Sequence, residues 1–359
     1  MVREVGKYLF AFGILLACFI AIGLNNEQKS LYQFSGYTMG TSYDIQFVAS
    51  PSSVDANLVE SEVAALLRHL DREVFSTYSK NSELTALNEA PVGAVFNASV
   101  DLIEVLQLSE EIRKLTLGAF DITVGPLVNL WGFGFEPDLP FGELPSQEQI
   151  KDAKSRMGAE NLDIDKSTME LTKKSDIQID LSAVAKGYSV DKVALLLDSL
   201  SLEGYFIEIG GEIKMKGLKL DDEEWITAIE TPSNGAASIY QLLSNRGKIL
   251  SIAGSGDYRN YFEVDGIRYS HEIDPRSGKP ISHQLAAAFV ISESAAEADA
   301  LATAFMILGL EESKPIIEGS NIPAFLISRK SKNQFETFVS LPFSSYLIHN
   351  HNITSPLKK

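Results

Sequence analysis

Cysteine is almost absent from this chain, whose 359 residues include only Cys18. A single cysteine excludes an intrachain disulfide and a cysteine-rich zinc site. Basic residues are also scarce, with 31 Lys and Arg against 48 Asp and Glu and a formal net charge of -17. Because nucleic-acid binding depends on a basic surface, this composition argues against nucleic acid as a partner.

Several common nucleotide-binding and catalytic patterns are missing as well. The chain has no P-loop and no GxGxxG after a predicted strand, and residues 254–256 (GSG) lack the spacing of the GxSxG nucleophile turn. Hydride-transfer dehydrogenases and serine hydrolases are therefore weak candidates. The remaining composition, 45% apolar and 22% charged, is ordinary for a globular protein with a proper core.

The N-terminus begins with basic residues followed by an apolar run at residues 8–24. This length fits a membrane-spanning helix at its lower limit or a long signal-peptide core. Residues 15–18 (LLAC) approximate a bacterial lipobox, which predicts lipid on Cys18 after cleavage before it. An uncleaved membrane anchor is the alternative, because residues 19–24 stay apolar. In both cases we expect residues 25–359 on the periplasmic face of a bacterial inner membrane.

The rest of the chain is predicted to form one compact α+β domain of mixed or antiparallel sheets with flanking helices, because it mixes hairpins with separated helices. The predicted divisions are a signal peptide or membrane anchor at 1–24, a tether at 25–34, the domain at 35–345 and a polar tail at 346–359.

Periodicity and capping signals place the elements of that domain. Helices are predicted at 54–74, at 99–115 with Ser99 as N-cap, from Ser182 as N-cap to Leu200, and from the capping box 294–297 to Leu308. Strands are predicted at 37–48, 176–181, 205–209, 212–215, 225–230, 248–252, 285–292, 324–328 and 336–341. Gly210 and Gly211 should form a hairpin turn that needs positive φ.

The segment 251–280 is the most informative for function. Asp265-Gly266 lies between two apolar-rich runs, which is a strong hairpin signal. Such a hairpin would hold His271 and Asp274 on a rigid edge and leave residues 275–278 (PRSG) as a tight turn. The alternative is a surface hairpin with a polar tip.

Asp299 and Thr303 are four residues apart on a predicted helix, so their side chains share a face. A carboxylate and a hydroxyl there suit a hard cation such as Mg²⁺. Such a pair is also common on solvated faces. The neighbouring residues favour a buried helix instead, in which a lone Asp needs a partner or a metal; they are Ala295, Ala298, Ala300, Ala302, Phe305 and Met306.

Three further positions are candidates for binding. Asp180 and Lys186 bracket the start of a helix whose N-terminus favours anions, the alternative being a surface salt bridge. Residues 119–121 (AFD) lie between a helix and an aromatic loop that suits a flat heterocycle, although aromatic residues are more often core. Tyr78 is equally open to either interpretation.

Taken in order, seven segments resemble the FAD:protein FMN transferases, the ApbE-like flavin transferases once known as thiamine biosynthesis lipoproteins. They cover about residues 37–310 and read MGTSY, FSTYSKNSELTALN, GAFDITVGPLV, DLSAVAKGYSVDKVA, YFIEIGGEIKMKG, SGDYRNYFEVDGIRYSHEIDPRSGKPI and ADALATAFMILG. Two positions depart from the family pattern, Gly254 and Ser277, where Thr is usual. The first departure is expected to loosen a contact near the turn, and the second keeps the hydroxyl.

The resemblance implies Mg²⁺-dependent transfer of FMN from FAD to a Thr or Ser hydroxyl of a target protein, with AMP leaving. It implies FAD contacts from Met39, Tyr78, Ala119, Phe120, Asp121, Asp180, Lys186 and Ile273. It also implies Mg²⁺ on Asp299, Thr303 and the backbone carbonyl of Ala183, with Asp299 serving catalysis through the metal. His271 is the candidate general base, because imidazole titrates near working pH; its alternative role is to hold the hairpin.

Two competing functions remain open at this stage. One is a Mg²⁺-dependent FAD pyrophosphatase that gives FMN and AMP, and the other is a non-enzymatic, exported FAD-binding lipoprotein. For the transferase, the resemblance suggests acceptors among the flavin-carrying subunits of membrane redox complexes, of the sodium-translocating NADH:quinone reductase or Rnf type.

Overall fold

The structure is a computed structural model that describes residues 29–134, 138–139, 142–233, 238–331 and 334–348. The predicted membrane-targeting segment at 1–24, with Cys18, lies outside the described residues. Among the helices that are described, none combines the length and the apolar character needed to cross a bilayer.

Helices are frequent in the first half of the domain, and a long run of strands, at residues 204–292, lies between the last two long helices. The strands are β1 Ser30–Thr38, β2 Thr41–Ala49, β3 Val95–Asn97, β4 Leu162–Asp165, β5 Glu170–Lys173, β6 Gly204–Ile209, β7 Glu212–Lys216, β8 Ile226–Glu230, β9 Ile239–Ser244, β10 Leu250–Gly256, β11 Tyr261–Val264, β12 Ile267–Ser270, β13 Ile273–Asp274, β14 Lys279–Pro280, β15 Leu285–Ser292, β16 Ala324–Ser331 and β17 Gln334–Val339. The helices are α1 Ala56–His69, α2 Glu83–Glu89, α3 Val100–Leu115, α4 Gly125–Leu130, α5 Gln147–Ser155, α6 Ala185–Ser199, α7 Ala295–Gly319 and α8 Leu341–Ser344.

An eight-stranded antiparallel sheet forms the centre, in the order β1-β2-β6-β7-β10-β15-β16-β17. Successive side chains of each strand point to opposite faces of the sheet, and an apolar layer covers each face. On one face, Ile45 and Ile207 pack against Val63 of α1 and Val193 of α6. On the opposite face, Met215 and Ile252 of the sheet pack in one cluster with residues outside it. These are Trp225 and Leu243 at the β8–β9 hairpin and Phe343 of α8. The predicted α+β fold is confirmed.

Strand β7 meets helix α6 through charges rather than apolar contacts. Three ion pairs join them: Glu212 to Lys186 at 3.5 Å, Lys214 to Asp191 at 2.7 Å and Lys216 to Asp198 at 2.8 Å between nitrogen and oxygen. The inward positions of a strand recur every two residues, so the three β7 side chains point at one helix. These pairs set the position of α6 over the sheet.

Several predicted boundaries are wrong. β1 begins at Ser30, so residues 30–34 belong to the sheet and not to a tether. Residues 176–181 form no strand, because hydrogen bonds with the Asn88 side chain hold Ile179 instead of a ladder. Residues 346–348 hydrogen-bond to β9 and are part of the domain.

Two helix predictions also need correction. Ser182 does not cap α6, which begins at Ala185 without a side-chain cap; the Asp180 carboxylate accepts the Ser182 N–H at 2.8 Å. The helix from Ser294 does reach Leu308, and beyond it a second helical stretch follows a break at Gly309, where φ is 74°. Ser294 accepts the Glu297 N–H, while the Glu297 carboxylate accepts the Ser292 hydroxyl.

Candidate functional site

The start of α6 packs against the start of α7 at unusually close range. A Cβ on Gly187 would lie 2.3 Å from the Ala295 carbonyl oxygen and 2.8 Å from the Ala296 Cα. Only glycine permits this approach, because the obstructing atoms belong to backbone that has no freedom to move aside. The close crossing brings the first turn of α6 to the Asp299 side chain.

Asp299 is buried, with 4% of its surface exposed, as predicted from the apolar residues around it. Its Oδ2 accepts the Gly187 N–H at 3.1 Å and lies 3.8 Å from the Lys186 Nζ. Burial raises the pKa of Asp299, against the lowering effects of the Lys186 charge and the Gly187 hydrogen bond. The carboxylate is thus placed where a further cation would stabilise its charged form.

The Gly187 hydrogen bond has a consequence for the backbone before it. In a continuing helix the Gly187 N–H would bond to the carbonyl of Ala183, four residues earlier. Here that N–H goes to Asp299, and within the described chain no hydrogen bond reaches the Ala183 oxygen. The half-buried Thr303 hydroxyl, one turn beyond Asp299, likewise has no hydrogen bond to the described residues.

These three oxygens are the set that sequence reasoning proposed for Mg²⁺. A carboxylate, a carbonyl and a hydroxyl are the oxygen ligands that this cation prefers. In the described part of the chain, no cluster of three or more His, Cys, Asp or Glu side chains could hold a metal. Metal binding at Asp299 would therefore depend on the Ala183 carbonyl and the Thr303 hydroxyl, and these residues fit that role.

Glu212 is a site residue that sequence reasoning missed. It follows the turn at Gly210 and Gly211, whose φ angles are 62° and 105°, and it points inward from β7 with 3% exposed. Its Oε1 lies 3.5 Å from the Lys186 Nζ, and its buried Oε2 has no hydrogen-bond partner among the described residues. Burial raises the pKa of Glu212 to about 8; Lys186 opposes the rise and Asp299 adds to it.

Lys186 lies between these two carboxylates. Its Nζ also donates to the Ser182 carbonyl at 3.2 Å. Burial lowers the pKa of Lys186, but the charges of Asp299 and Glu212 outweigh burial and raise it overall. Lys186 is therefore a fixed positive charge at the N-terminal end of α6, and the surface salt-bridge alternative does not describe it.

The predicted hairpin carries His271 as expected. Strands β11 and β12 pair around Asp265 and Gly266, whose φ angles of 51° and 75° suit a two-residue turn. The His271 Nδ1 lies 3.0 Å from the Asn260 carbonyl oxygen, and its Nε2 lies 3.6 Å from the Glu272 Oε1. The 275–278 turn closes as predicted through the Gly278 N–H, which donates to the Asp274 carbonyl at 2.7 Å.

Three of the predicted FAD-binding residues have side chains that a ligand could reach. Met39 forms the tip of the β1–β2 turn with φ of 47°, and its Sδ lies 3.6 Å from the Ser189 Oγ on α6. Tyr78 is exposed, and its hydroxyl donates to Asp71 at 3.2 Å. Asp180 joins the 119–122 segment, because its N–H donates to the Ile122 carbonyl at 2.7 Å.

The other predicted FAD-binding side chains are more enclosed. Asp121 accepts the N–H and hydroxyl of Thr123 at 2.8 and 2.6 Å, and burial raises its pKa although these bonds oppose the rise. Ala119, Phe120 and Ile273 are buried in apolar clusters. A ligand would meet these three through their backbone, and the Phe120 ring is a core residue.

The two departures from the family pattern have different outcomes. Gly254 pairs with Phe289 across β10 and β15, and a Cβ on it would lie 2.5 Å from the Phe289 ring. The ring takes the space of a larger side chain, so the expected loosening is offset by packing. The Ser277 hydroxyl contacts the Asp274 carbonyl at 3.4 Å and the Lys279 N–H at 3.3 Å, which retains a role in the turn.

Lys186 between two buried carboxylates and His271 at the end of a rigid hairpin lie in one α+β domain, and this fold matches a known family of enzymes. The ApbE family matches residues 39–326. The FAD:protein FMN transferase of Vibrio cholerae is 38% identical over 93% of this chain and 98% of its own length. That of Haemophilus influenzae is 35% identical over 94% and 97%.

Solved structures agree with these sequences. The flavin transferase ApbE from Vibrio cholerae superposes with a TM-score of 0.80 at 37% identity, over 89% of this chain and 100% of that one. The apo flavinyl transferase ApbE of Pseudomonas stutzeri also gives 0.80 at 37% identity, over 90% and 98%. The chain therefore belongs to the ApbE family, whose curated members are transferases. The predictions of family, fold and enzyme class are confirmed.

Proposed function

We propose that this chain transfers FMN from FAD to a Thr or Ser hydroxyl of an acceptor protein, in a reaction that needs Mg²⁺ and releases AMP. The name of its relatives, FAD:protein FMN transferase, supports the donor and the transferred group. The observation that carries the metal requirement is the Gly187 N–H bonded to Asp299, which leaves the Ala183 carbonyl oxygen free.

The reaction is a substitution at phosphorus. The acceptor hydroxyl oxygen attacks the phosphorus of the FMN half of FAD, and the bond from that phosphorus to the bridging oxygen breaks. AMP leaves with the bridging oxygen, and the hydroxyl proton goes to the Nε2 of His271. Such a reaction depends mainly on positioning the groups and stabilising their charge.

The residues of the α6–α7 crossing supply that positioning. Asp299, Thr303 and the Ala183 carbonyl would hold Mg²⁺, which when bound neutralises charge on the phosphate oxygens. Lys186 adds a fixed positive charge at the N-terminal end of α6, where backbone N–H groups also favour anions. Asp180 is next to this turn, where its carboxylate accepts the Ser182 N–H.

The metal and acceptor are tested together. The purified full-length chain is incubated with FAD, Mg²⁺ and the flavin-carrying subunit of a sodium-translocating NADH:quinone reductase or Rnf complex. We expect the intact mass of the acceptor to rise by one FMN less water, with an equal amount of AMP released and neither product formed in EDTA. AMP and free FMN without a change in acceptor mass would support the pyrophosphatase instead. Bound FAD without either product would support a binding protein.

We also propose that the chain is anchored at the periplasmic face of the inner membrane, through lipid on Cys18 or an uncleaved N-terminal helix. The LLAC tetrapeptide within an apolar run supports lipidation. Labelled fatty acid should enter the native chain and not Cys18→Ser. If the native chain takes up no label and keeps Met1, the uncleaved anchor is correct.

A further inference from the structure

Glu272 follows the candidate base His271 and is one of the buried carboxylates near the site, with 6% of its surface exposed. Both of its backbone groups are bonded: its N–H donates to the Ser270 Oγ at 3.2 Å, and its carbonyl accepts the Ile281 N–H at 3.0 Å. The Ser255 hydroxyl donates to its Oε1. The side chain is therefore held from β10 and from its own strand end, and does not turn into solvent.

The same carboxylate oxygen faces the histidine. Glu272 Oε1 lies 3.6 Å from the His271 Nε2. The His271 Nδ1 lies 3.0 Å from the Asn260 carbonyl, and a carbonyl oxygen only accepts hydrogen bonds. In the neutral ring Nδ1 therefore carries the hydrogen, and Nε2 is the nitrogen with a lone pair for an incoming proton.

The charges around this pair come from three other elements. Lys186 on α6 is close enough for the Glu272 charge to contribute to its raised pKa. Behind Lys186 lie Glu212 on β7 and Asp299 on α7, each within 3.8 Å of its Nζ. Glu272 is thus the carboxylate of this group that contacts the histidine.

We propose that Glu272 is a positioning residue for His271: its carboxylate stabilises the imidazolium formed when Nε2 takes the acceptor hydroxyl proton, and Ser255 holds that carboxylate in place. The inference rests on the proposed FMN transfer. Glu272 does not take the proton; it remains an anion, and the proton stays on Nε2 until the ring releases it to water after transfer. An anion beside an imidazole favours its charged form, which is the form that proton abstraction creates.

The experiment compares Glu272→Gln with Glu263→Gln, a matched control on the exposed side of the same hairpin. Glu272→Gln should lower kcat for acceptor labelling by about 10–100-fold, with KM for FAD unchanged within about threefold. A loss confined to kcat is expected because the carboxylate acts on the charge formed during transfer and not on FAD binding. Ser255→Ala should give a smaller loss in the same direction, and Glu263→Gln should match the native chain.

An unchanged kcat in Glu272→Gln would overturn the proposal. If that variant unfolds or loses FAD, Glu272→Asp and Ser255→Ala decide: a native kcat in both would equally overturn it. A native chain that releases AMP without labelling the acceptor contradicts the proposed transfer alone. Glu272 is then tested by the same comparison of kcat measured on AMP release, since water would lose its proton to the same ring.

Discussion

Asp191 and Asp299 are two carboxylates at one helix crossing, and their surroundings differ. Asp191, on α6, meets four donors from other elements. They are the Lys214 Nζ at 2.7 Å, the Ser294 hydroxyl at 2.8 Å and the N–H groups of Ala295 and Ala296 at 3.0 Å each. Asp191 therefore caps α7 from a neighbouring helix, and its hydrogen-bonding capacity is used within the fold.

Asp299 lies on α7 about one turn beyond the Ala295 N–H that Asp191 binds, and fewer donors from the described residues reach it. One N–H, from Gly187, reaches its Oδ2, and the Lys186 Nζ stays 3.8 Å away. A buried carboxylate with so few donors costs free energy of folding unless a ligand completes it. Both residues are helical carboxylates at the same crossing, so their type and position do not separate a structural role from a functional one. The number of hydrogen-bond donors that each carboxylate already has does separate them.

The largest expected effect separates the two residues by activity. Asp299→Ala should lower FMN transfer by about 10²–10³-fold, because it removes the charged ligand of the cation that stabilises the phosphate. Excess Mg²⁺ should rescue it poorly, and the melting temperature should stay near that of the native chain. Intact-mass kinetics at several Mg²⁺ concentrations measure this, with Glu318→Ala, an exposed carboxylate of α7, as a control for loss of charge. Full activity of Asp299→Ala at limiting Mg²⁺ would remove Asp299 from the metal site.

The second effect is on stability. Asp191→Ala should lower the free energy of unfolding by about 2 kcal/mol, because α7 loses its cap and Lys214 loses its carboxylate partner. Activity per folded molecule should remain close to native, since Asp191 is already saturated by the fold. Urea denaturation and specific activity of the folded fraction measure the two quantities. Native stability with lost activity would reverse the roles assigned to Asp191 and Asp299.

A third change affects both carboxylates at once. Gly187→Ala places a Cβ against the Ala295 carbonyl and should lower the free energy of unfolding by about 1–2 kcal/mol, since strain exceeds the gain in helix propensity. Activity should fall too, because the Gly187 N–H moves away from Asp299. Gly319→Ala is the control, as a Cβ there meets nothing within 4 Å. Equal stability of the two variants would contradict the close-packing argument.

The last comparison concerns the pH dependence of stability on the Asp299 side of the crossing. Folding raises the pKa of Glu212 from its ordinary 4.5 to about 8, so the folded chain binds more protons than the unfolded one between those values. The free energy of unfolding should therefore fall as pH rises from about 5 to about 8. Glu212→Gln should flatten this slope, measured by urea denaturation in EDTA. Identical slopes in the two proteins would mean that Glu212 does not titrate in this range.

Local patterns predicted a large part of the site. The Asp265-Gly266 hairpin, the glycine turn before Glu212 and the apolar helix around Asp299 all formed as expected. Each of these signals depends on residues within about four positions of one another, so the sequence alone carries them. The family resemblance likewise follows from short motifs in a fixed order.

Contacts between distant parts of the chain escaped prediction. Ser182 was predicted to cap α6, but its N–H bonds to Asp180 and its side chain caps no helix. The N-terminus of α7 is instead bound from far along the chain, because the Asp191 carboxylate accepts the Ala295 N–H, 104 residues away. Nothing near Gly187 in sequence indicates that its N–H serves Asp299, 112 residues later.

The sequence by itself determined the antiparallel hairpins, the amphipathic helices, the family and the identity of Asp299 and His271 as candidates. Only the tertiary structure decided that Glu212 and Glu272 join them, that Lys186 lies between two carboxylates, and that no described residue hydrogen-bonds to the Ala183 oxygen. The physical reason is that a side chain's burial and its donors depend on which elements pack against it. Those partners are brought together by the sheet order and the α6–α7 crossing, and neither is encoded in a short stretch of sequence.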